Sequence, residues 1–246
     1  MLSFLYTSNL VKTLHEDTSI LVLDKPAGMP SVSLKEGEEG TIAAWILKKF
    51  PGQDQIGKNG ALEAGLVHRL DNDTSGVIVA ARTKAAYENL RAQFDEGCVW
   101  KEYTALVLGT PPPNGAIDSP IAHHPRKKKK MVVCASKAEA EKLKARPAHT
   151  EYEVIRQIKD YSLLKVTIAT GVRHQIRAHL ASIGFPIAGD RLYQNPKMRA
   201  KDSSNLTRHF LHAHKLQFRH PESGCVVEFS SDLPEDLKEM LATCSG

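Results

Sequence analysis

Residues 67–80 read VHRLDNDTSGVIVA, and within them His68, Arg69 and Asp71 crowd together just ahead of a turn. Turn chemistry accounts for Asn72, Asp73, Thr74, Ser75 and Gly76. It does not account for an imidazole, a guanidinium and a carboxylate gathered immediately before them. A carboxylate in such company can act as a nucleophile or a base. Residue type alone leaves Asp71 and Asp73 as open alternatives for that role. A second dense stretch, residues 169–193, reads ATGVRHQIRAHLASIGFPIAGDRLY and places Arg173, His174, Arg177 and His179 in and around the start of a helix. Arg173 and Arg177 are four apart and are expected to share a helix face. They would form either a solvated basic face or a phosphate or carboxylate site at a helix N-terminus. Tyr103, in KEYTALVLG, is expected in a strand, with core packing as the plain reading.

Such side chains need elements to hold them. Residues 19–24 are apolar and β-branched and run into Lys25-Pro26-Ala27-Gly28, so a strand ends in a turn. Thr41 can cap a short helix that Pro51-Gly52 stops, and Thr83 opens a longer one with Gly97 just past its end. Residues 76–81 read as a buried strand and 99–108 as a long one closed by three prolines. Further strands are expected at 131–134, 150–156, 161–168, 214–218 and 225–229, with helices over 174–183 and from Pro234. Strands outnumber helices and long crossovers are few. The pattern predicts an α+β fold with a mixed, largely antiparallel central sheet flanked by helices.

The charge is unevenly distributed. The chain of 246 residues carries a formal net charge of +5. Residues 126–146 hold nine Lys or Arg and two Glu, so this one segment exceeds the whole excess and the remainder is close to neutral. A local basic patch points to a polyanionic partner. No apolar run is long enough for a transmembrane helix, and the N-terminal residues lack the pattern of a secretory leader. Cys98, Cys134, Cys225 and Cys244 are scattered without a C-x-x-C pair and read as reduced thiols of a cytoplasmic protein. Gly52 to Lys58 fits a phosphate-loop pattern, but Asn59 stands where Ser or Thr must hold magnesium, and a helix end precedes it. His209, His212, His214 and His220 lack a matching ligand set. Neither a nucleotide-binding loop nor a metal site is therefore expected. A metal-dependent hydrolase using these histidines is a reading from another class.

The stretches together resemble one family, the RluA-type pseudouridine synthases. Their signature HRLDxxTSG is similar to His68–Gly76, their K-P-x-G turn to Lys25–Gly28, and their K-x-Y strand to Lys101–Tyr103. The late motif resembles Gly171–His179 followed by Gly184–Tyr193, and the tail LHAHKLQFRHPESG looks like the family's closing segment. One departure stands out: Val172-Arg173 replaces the usual Arg-Thr or Arg-Lys pair. The resemblance covers about residues 15–240 and implies one catalytic domain over 1–246, with a basic hairpin-like segment at about 121–149. With the K-P-x-G turn beginning at Lys25, the accessory N-terminal RNA-binding module of many relatives is not expected.

What the resemblance implies is isomerisation of a uridine in ribosomal or transfer RNA to pseudouridine, without cofactor or metal. Asp71 would be the catalytic carboxylate, as nucleophile or as base. Arg177 would favour its ionised form, since a guanidinium nearby lowers a carboxyl pKa by roughly 1–3 units. Tyr103 would stack on the target base and help remove the proton from carbon. Arg69 would fill the gap left by the flipped base. His68, Arg173, His174, Gln175 and Lys127, Lys128, Lys129 and Lys130 complete the expected RNA contacts. The partner is then an RNA loop or stem-loop, no membrane, with the protein as a monomer.

Overall fold

The structure is a computed structural model and describes residues 11–245. Most of the segment examined for a leader, and the side chain of Cys244, lie outside the described residues. In chain order the strands and helices are β1 (Lys12–Glu16), β2 (Ile20–Lys25), α1 (Ile42–Lys49), β3 (Ser75–Ala81), α2 (Lys84–Asp95), β4 (Trp100–Leu108), β5 (Asn114–Asp118), β6 (Ile121–His123), β7 (Met131–Val133), α3 (Lys137–Lys142), β8 (His149–Ile158), β9 (Tyr161–Ile168), α4 (Gln175–Ser182), α5 (Pro196–Lys201), β10 (Leu211–Arg219), β11 (Val226–Ser230) and α6 (Glu235–Ser245). The class is α+β with a largely antiparallel sheet, as expected from the pattern. The chain divides into two compact units, one running to Trp100 and taking back Ala213–Asp232, the other holding Lys101–His212 and the C-terminal residues.

In the first unit β2 pairs antiparallel with β1 on one side and β3 on the other. All seven residues of β3 are buried, which explains its unbroken run of small and β-branched residues. Thr83 caps α2, its hydroxyl accepting from the Ala86 amide, and the helix buries Ala86 and Leu90. These meet Ile20, Val22, Val77, Val79, Leu216 and Phe218 in one core. Removing water from that much apolar surface is the main force behind this unit. Gly76, the second residue of β3, has φ +118°, and a Cβ there would lie 2.2 Å from the Ala213 carbonyl oxygen. Only glycine fits that approach.

In the second unit β4, β9, β8 and β5 form an antiparallel series in that order. The hairpin β6–β7 stands apart from it as a two-stranded sheet. Ile121 and Met131, one from each hairpin strand, pack with Val172, Ala178 and Tyr193. That small core anchors the base of the hairpin to α4.

Several elements differ from the sequence expectation. β1, β5 and β6 are short and partly exposed, so their polar residues carry no clear alternation. α3 and α5 are six residues each, too short for a helical period. Their caps were nevertheless legible: Ser136 with Glu139, and Asn195 with Pro196. Helix α4 starts at Gln175, and His174 before it is left-handed at φ +55°. Arg173 is therefore not on the helix, and the expected shared face with Arg177 does not form. Gly52–Lys58 follows α1 and contains a 3-10 turn over Gln53–Gln55.

Candidate active site

The first unit presents the segment from His68 to Gly76 as a loop entering β3. Backbone pairing sets its start: Leu66 bridges Ala80, and the Ala81 amide donates to the Gly65 carbonyl at 2.8 Å. Ser31 then clamps Leu70 on both polar groups, with its hydroxyl donating to the carbonyl and accepting from the amide, each at 3.0 Å. Lys25 is fully buried, and its ammonium donates to the carbonyls of Pro26, Met29 and Asn72 at 2.7–2.9 Å. The Gly28 amide also reaches the Asn72 carbonyl, at 3.0 Å. One cation thus ties the Lys25–Gly28 turn to the residue following Asp71. The Thr74 amide closes the turn on the Asp71 carbonyl at 3.1 Å. Asp71 is half-buried and Arg69 exposed.

His68 is held within the fold. Its Nε2 accepts from the Val79 amide at 3.1 Å, and its ring stacks on Phe94 with centroids 4.7 Å apart. An accepting Nε2 carries no proton, so this contact belongs to the imidazole without a proton on that nitrogen. Asp73 accepts from the side-chain amide of Asn72 at 3.1 Å.

The second unit carries the other candidates. Tyr103 is buried in β4, opposite Val166. Two residues earlier, Lys101 donates to the carbonyls of Ala169 and Thr170 at 3.1 and 3.2 Å, and burial pushes its ammonium down to about 8. These carbonyls lead into the loop before α4. Gln175 fixes the rest of that loop. Its side-chain oxygen accepts from the Val172 amide and the Thr170 hydroxyl, and its amide donates to the His149 carbonyl and Thr150. His179 has Nε2 on the Ser119 carbonyl at 2.9 Å and Nδ1 on the Thr150 hydroxyl at 2.8 Å, and burial lowers its pKa. A carbonyl only accepts, so Nε2 carries the proton in this arrangement.

Arg177 forms a buried two-pronged ion pair with Asp190, Nε to Oδ2 at 2.7 Å and Nη2 to Oδ1 at 3.0 Å. Asp190 is held in turn by the amides of Leu192 and Tyr193. A planar guanidinium matches a carboxylate in this geometry in a way an ammonium cannot. Arg173 is half-buried ahead of the helix. Among the described residues neither Arg69 nor Arg173 makes a side-chain hydrogen bond or ion pair.

Lys127 to Lys130 form the connection between β6 and β7. The Lys130 amide donates to the Lys127 carbonyl at 2.8 Å, and His124 Nδ1 lies 3.2 Å from the amides of Arg126 and Lys127. Lys127, Lys128 and Lys129 are exposed, whereas Lys130 is half-buried and lies 5.0 Å from the centre of the Tyr193 ring. In the tail His209 and His212 are buried, His214 lies on the Ser231 carbonyl and His220 on Asp17. No group of three or more His, Cys, Asp or Glu suited to a metal ion occurs among the described residues. No helix among them is long and apolar enough to cross a membrane.

The residues that sequence reasoning left out of the site are mainly those that hold it: Lys25, Ser31, Lys101, Asp190 and Tyr193. All but Ser31 lie inside the quoted motifs, so motif membership was the available signal. Ser31 has none, because its clamp on Leu70 spans 39 positions.

Residues 19–182 match the family model for RNA pseudouridylate synthase. The chain is 40% identical over 218 residues to an uncharacterized RNA pseudouridine synthase of Chloroflexus aurantiacus, covering 89% of this chain. It is 36% identical over 234 residues to ribosomal large subunit pseudouridine synthase D of Nitrosomonas europaea, covering 94% of this chain. It spans 64% of the length of each of these two relatives. The fold is shared with a solved structure of human RNA pseudouridylate synthase domain containing 1, with TM-score 0.72 at 22% identity over 95% of this chain and 88% of that one. The two motif-bearing loops, and the matches that contain them, thus agree on one conclusion: the chain belongs to the RNA pseudouridylate synthase family.

Proposed function

We propose that this protein isomerises a uridine in RNA to pseudouridine, with Asp71 as the catalytic carboxylate. The observation that carries the reading is the loop built around Asp71: Ser31 clamps the residue before it and Lys25 the residue after it. Two buried anchors on either side of one carboxylate restrict its position closely, which is what a reacting group requires. In the reaction the bond from C1′ to N1 breaks, the uracil turns, and C1′ bonds to C5. One proton leaves C5 and one joins N1, so the isomer has the same atoms and electrons. Asp71 acts on the sugar as nucleophile or base. Tyr103 stacks on the base and helps remove the C5 proton. Arg177 supplies positive charge favouring an ionised carboxylate.

Arg69 is the exposed guanidinium of the Asp71 loop and is suited to fill the position of a flipped base. The substrate class favoured is ribosomal RNA, since the Nitrosomonas relative is named for the large ribosomal subunit. Transfer RNA is the second class, and a cytoplasmic location follows from either. Flipping costs least where a base is unpaired, so loops and stem-loop ends are the expected targets. The test is Asp71→Asn beside Asp73→Asn, with pseudouridine mapped in RNA from cells carrying each variant. Asp71→Asn should abolish product while RNA retention persists, and Asp73→Asn should retain it. Full product from Asp71→Asn overturns the assignment.

A further inference from the structure

Tyr193 lies outside the proposed chemistry, yet it meets four groups of the basic hairpin and of the segment around α4, Arg177 among them. Its hydroxyl accepts from the Met131 amide at 3.0 Å and lies 3.1 Å from His174 Nδ1. Met131 is the first residue of β7, immediately after the lysine run. The Tyr193 ring centre lies 5.0 Å from Lys130 Nζ and 5.3 Å from Arg177 Cζ. Tyr193 is buried, and its amide accompanies that of Leu192 in holding Asp190, the partner of Arg177. Lys130 is thus set apart from Lys127, Lys128 and Lys129: its cation rests on an aromatic ring while theirs face solvent.

We infer that Tyr193 is a positioning residue that links the basic hairpin to Arg177, so that RNA held on the lysine run is placed in register with the catalytic helix. The inference rests on the proposed isomerase reading and adds a specific coupling to it. A ring bearing two cations favours their present places, because each gains from the quadrupole only near its face. A hydroxyl bridging the β7 backbone and His174 holds the hairpin base to the start of α4. Phosphates bound by the exposed lysines pull on the same short hairpin, and Tyr193 is where that pull reaches Arg177.

The test is a double-mutant cycle on Tyr193→Leu and Lys130→Met, with Tyr193→Phe as the milder variant that retains the ring. The substrate is total cellular RNA, ribosomal and transfer RNA together, labelled with tritium at C5 of uridine and drawn from cells lacking the gene. The readouts are single-turnover tritium release at saturating protein and, separately, RNA retention on filters across a salt series. Thermal unfolding of each variant confirms that it folds. Tyr193→Leu and Lys130→Met should each slow release about tenfold, and Tyr193→Phe about threefold. The double variant should be little slower than either single one, because both break the same link. Lys84→Gln, an exposed lysine of α2, should leave rate and retention unchanged. Slowing factors that multiply in the double variant, or a wild-type rate in folded Tyr193→Leu, overturn the link. Absence of tritium release from the unaltered protein instead overturns the isomerase reading, and the filter cycle still decides the link: coupled losses in retention support it and additive losses overturn it.

Discussion

The loop around Asp71 and the loop entering α4 hold their chemistry in opposite ways. Around Asp71 the buried charge is Lys25, and it binds backbone carbonyls. The side chains offered for chemistry, Asp71 and Arg69, remain half-buried or exposed. At α4 the side chain offered for chemistry is itself buried, and its ion pair with Asp190 locates it. Lys101 repeats the Lys25 device there, tying down the Ala169 and Thr170 carbonyls. A short, irregular loop has unsatisfied carbonyls that a single ammonium can collect, because it has three donors. A helix already satisfies its backbone, so a charge on it needs a side-chain partner. The lysines of the K-P-x-G and K-x-Y motifs are therefore structural clips of the two loops.

The most severe break of this comparison is Arg177→Met, which leaves the Asp190 carboxylate buried without its partner. A loss of about 3–5 kcal/mol is expected in chemical denaturation. Adding Asp190→Leu should recover most of that stability and none of the isomerisation, separating the pair's support of the fold from the charge it supplies. Lys25→Met comes next, since it takes the ammonium from the Pro26 and Met29 carbonyls and leaves the Asn72 carbonyl with the Gly28 amide alone. About 3 kcal/mol is expected, together with loss of pseudouridine formation. A stability equal to wild type would show that the loop does not need its clip.

Lys101→Met should cost less, about 1–2 kcal/mol near neutral pH, because two carbonyls are involved. It should also change the pH dependence. Burial lowers the Lys101 pKa from 10.5 to about 8. The unfolded chain therefore binds more protons between those values, and this group makes stability rise with pH there. Below about 8 both states are protonated and the burial penalty is present in full. Denaturation curves for wild type and Lys101→Met should diverge in favour of wild type as pH rises through that window. Parallel curves would remove Lys101 as a strained clip. The smallest effect expected is Arg69→Ala, within about 0.5 kcal/mol on stability because the side chain is exposed. Its loss should appear in RNA turnover alone, and a large stability change would place Arg69 with the buried charges instead.

Much of the architecture was legible in local signals. The buried strand β3 was announced by GVIVAA, and α1 and α2 by Thr41 and Thr83 at their starts. Where an element was short, as with β6, α3 and α5, no period could develop. The start of α4 was misplaced because nothing in VRHQ announces a left-handed His174. His68 and Gln175 were expected among RNA contacts, yet the polar atoms described for them are engaged within their own unit. A polar residue in a motif looks the same in sequence whether it meets a ligand or a neighbouring amide.

The sequence by itself determined the family, the order of the longer elements, the uneven charge and the short list from which Asp71, Tyr103, Arg69 and Arg177 come. Each of these is carried by residue type and spacing, which a linear chain states directly. Only the tertiary structure decided that Lys25 and Lys101 collect carbonyls, that Asp190 holds Arg177, and that Tyr193 meets Lys130. These depend on which groups are brought together after burial has removed their water. A buried charge or carbonyl must then find a partner from whatever part of the chain the fold supplies.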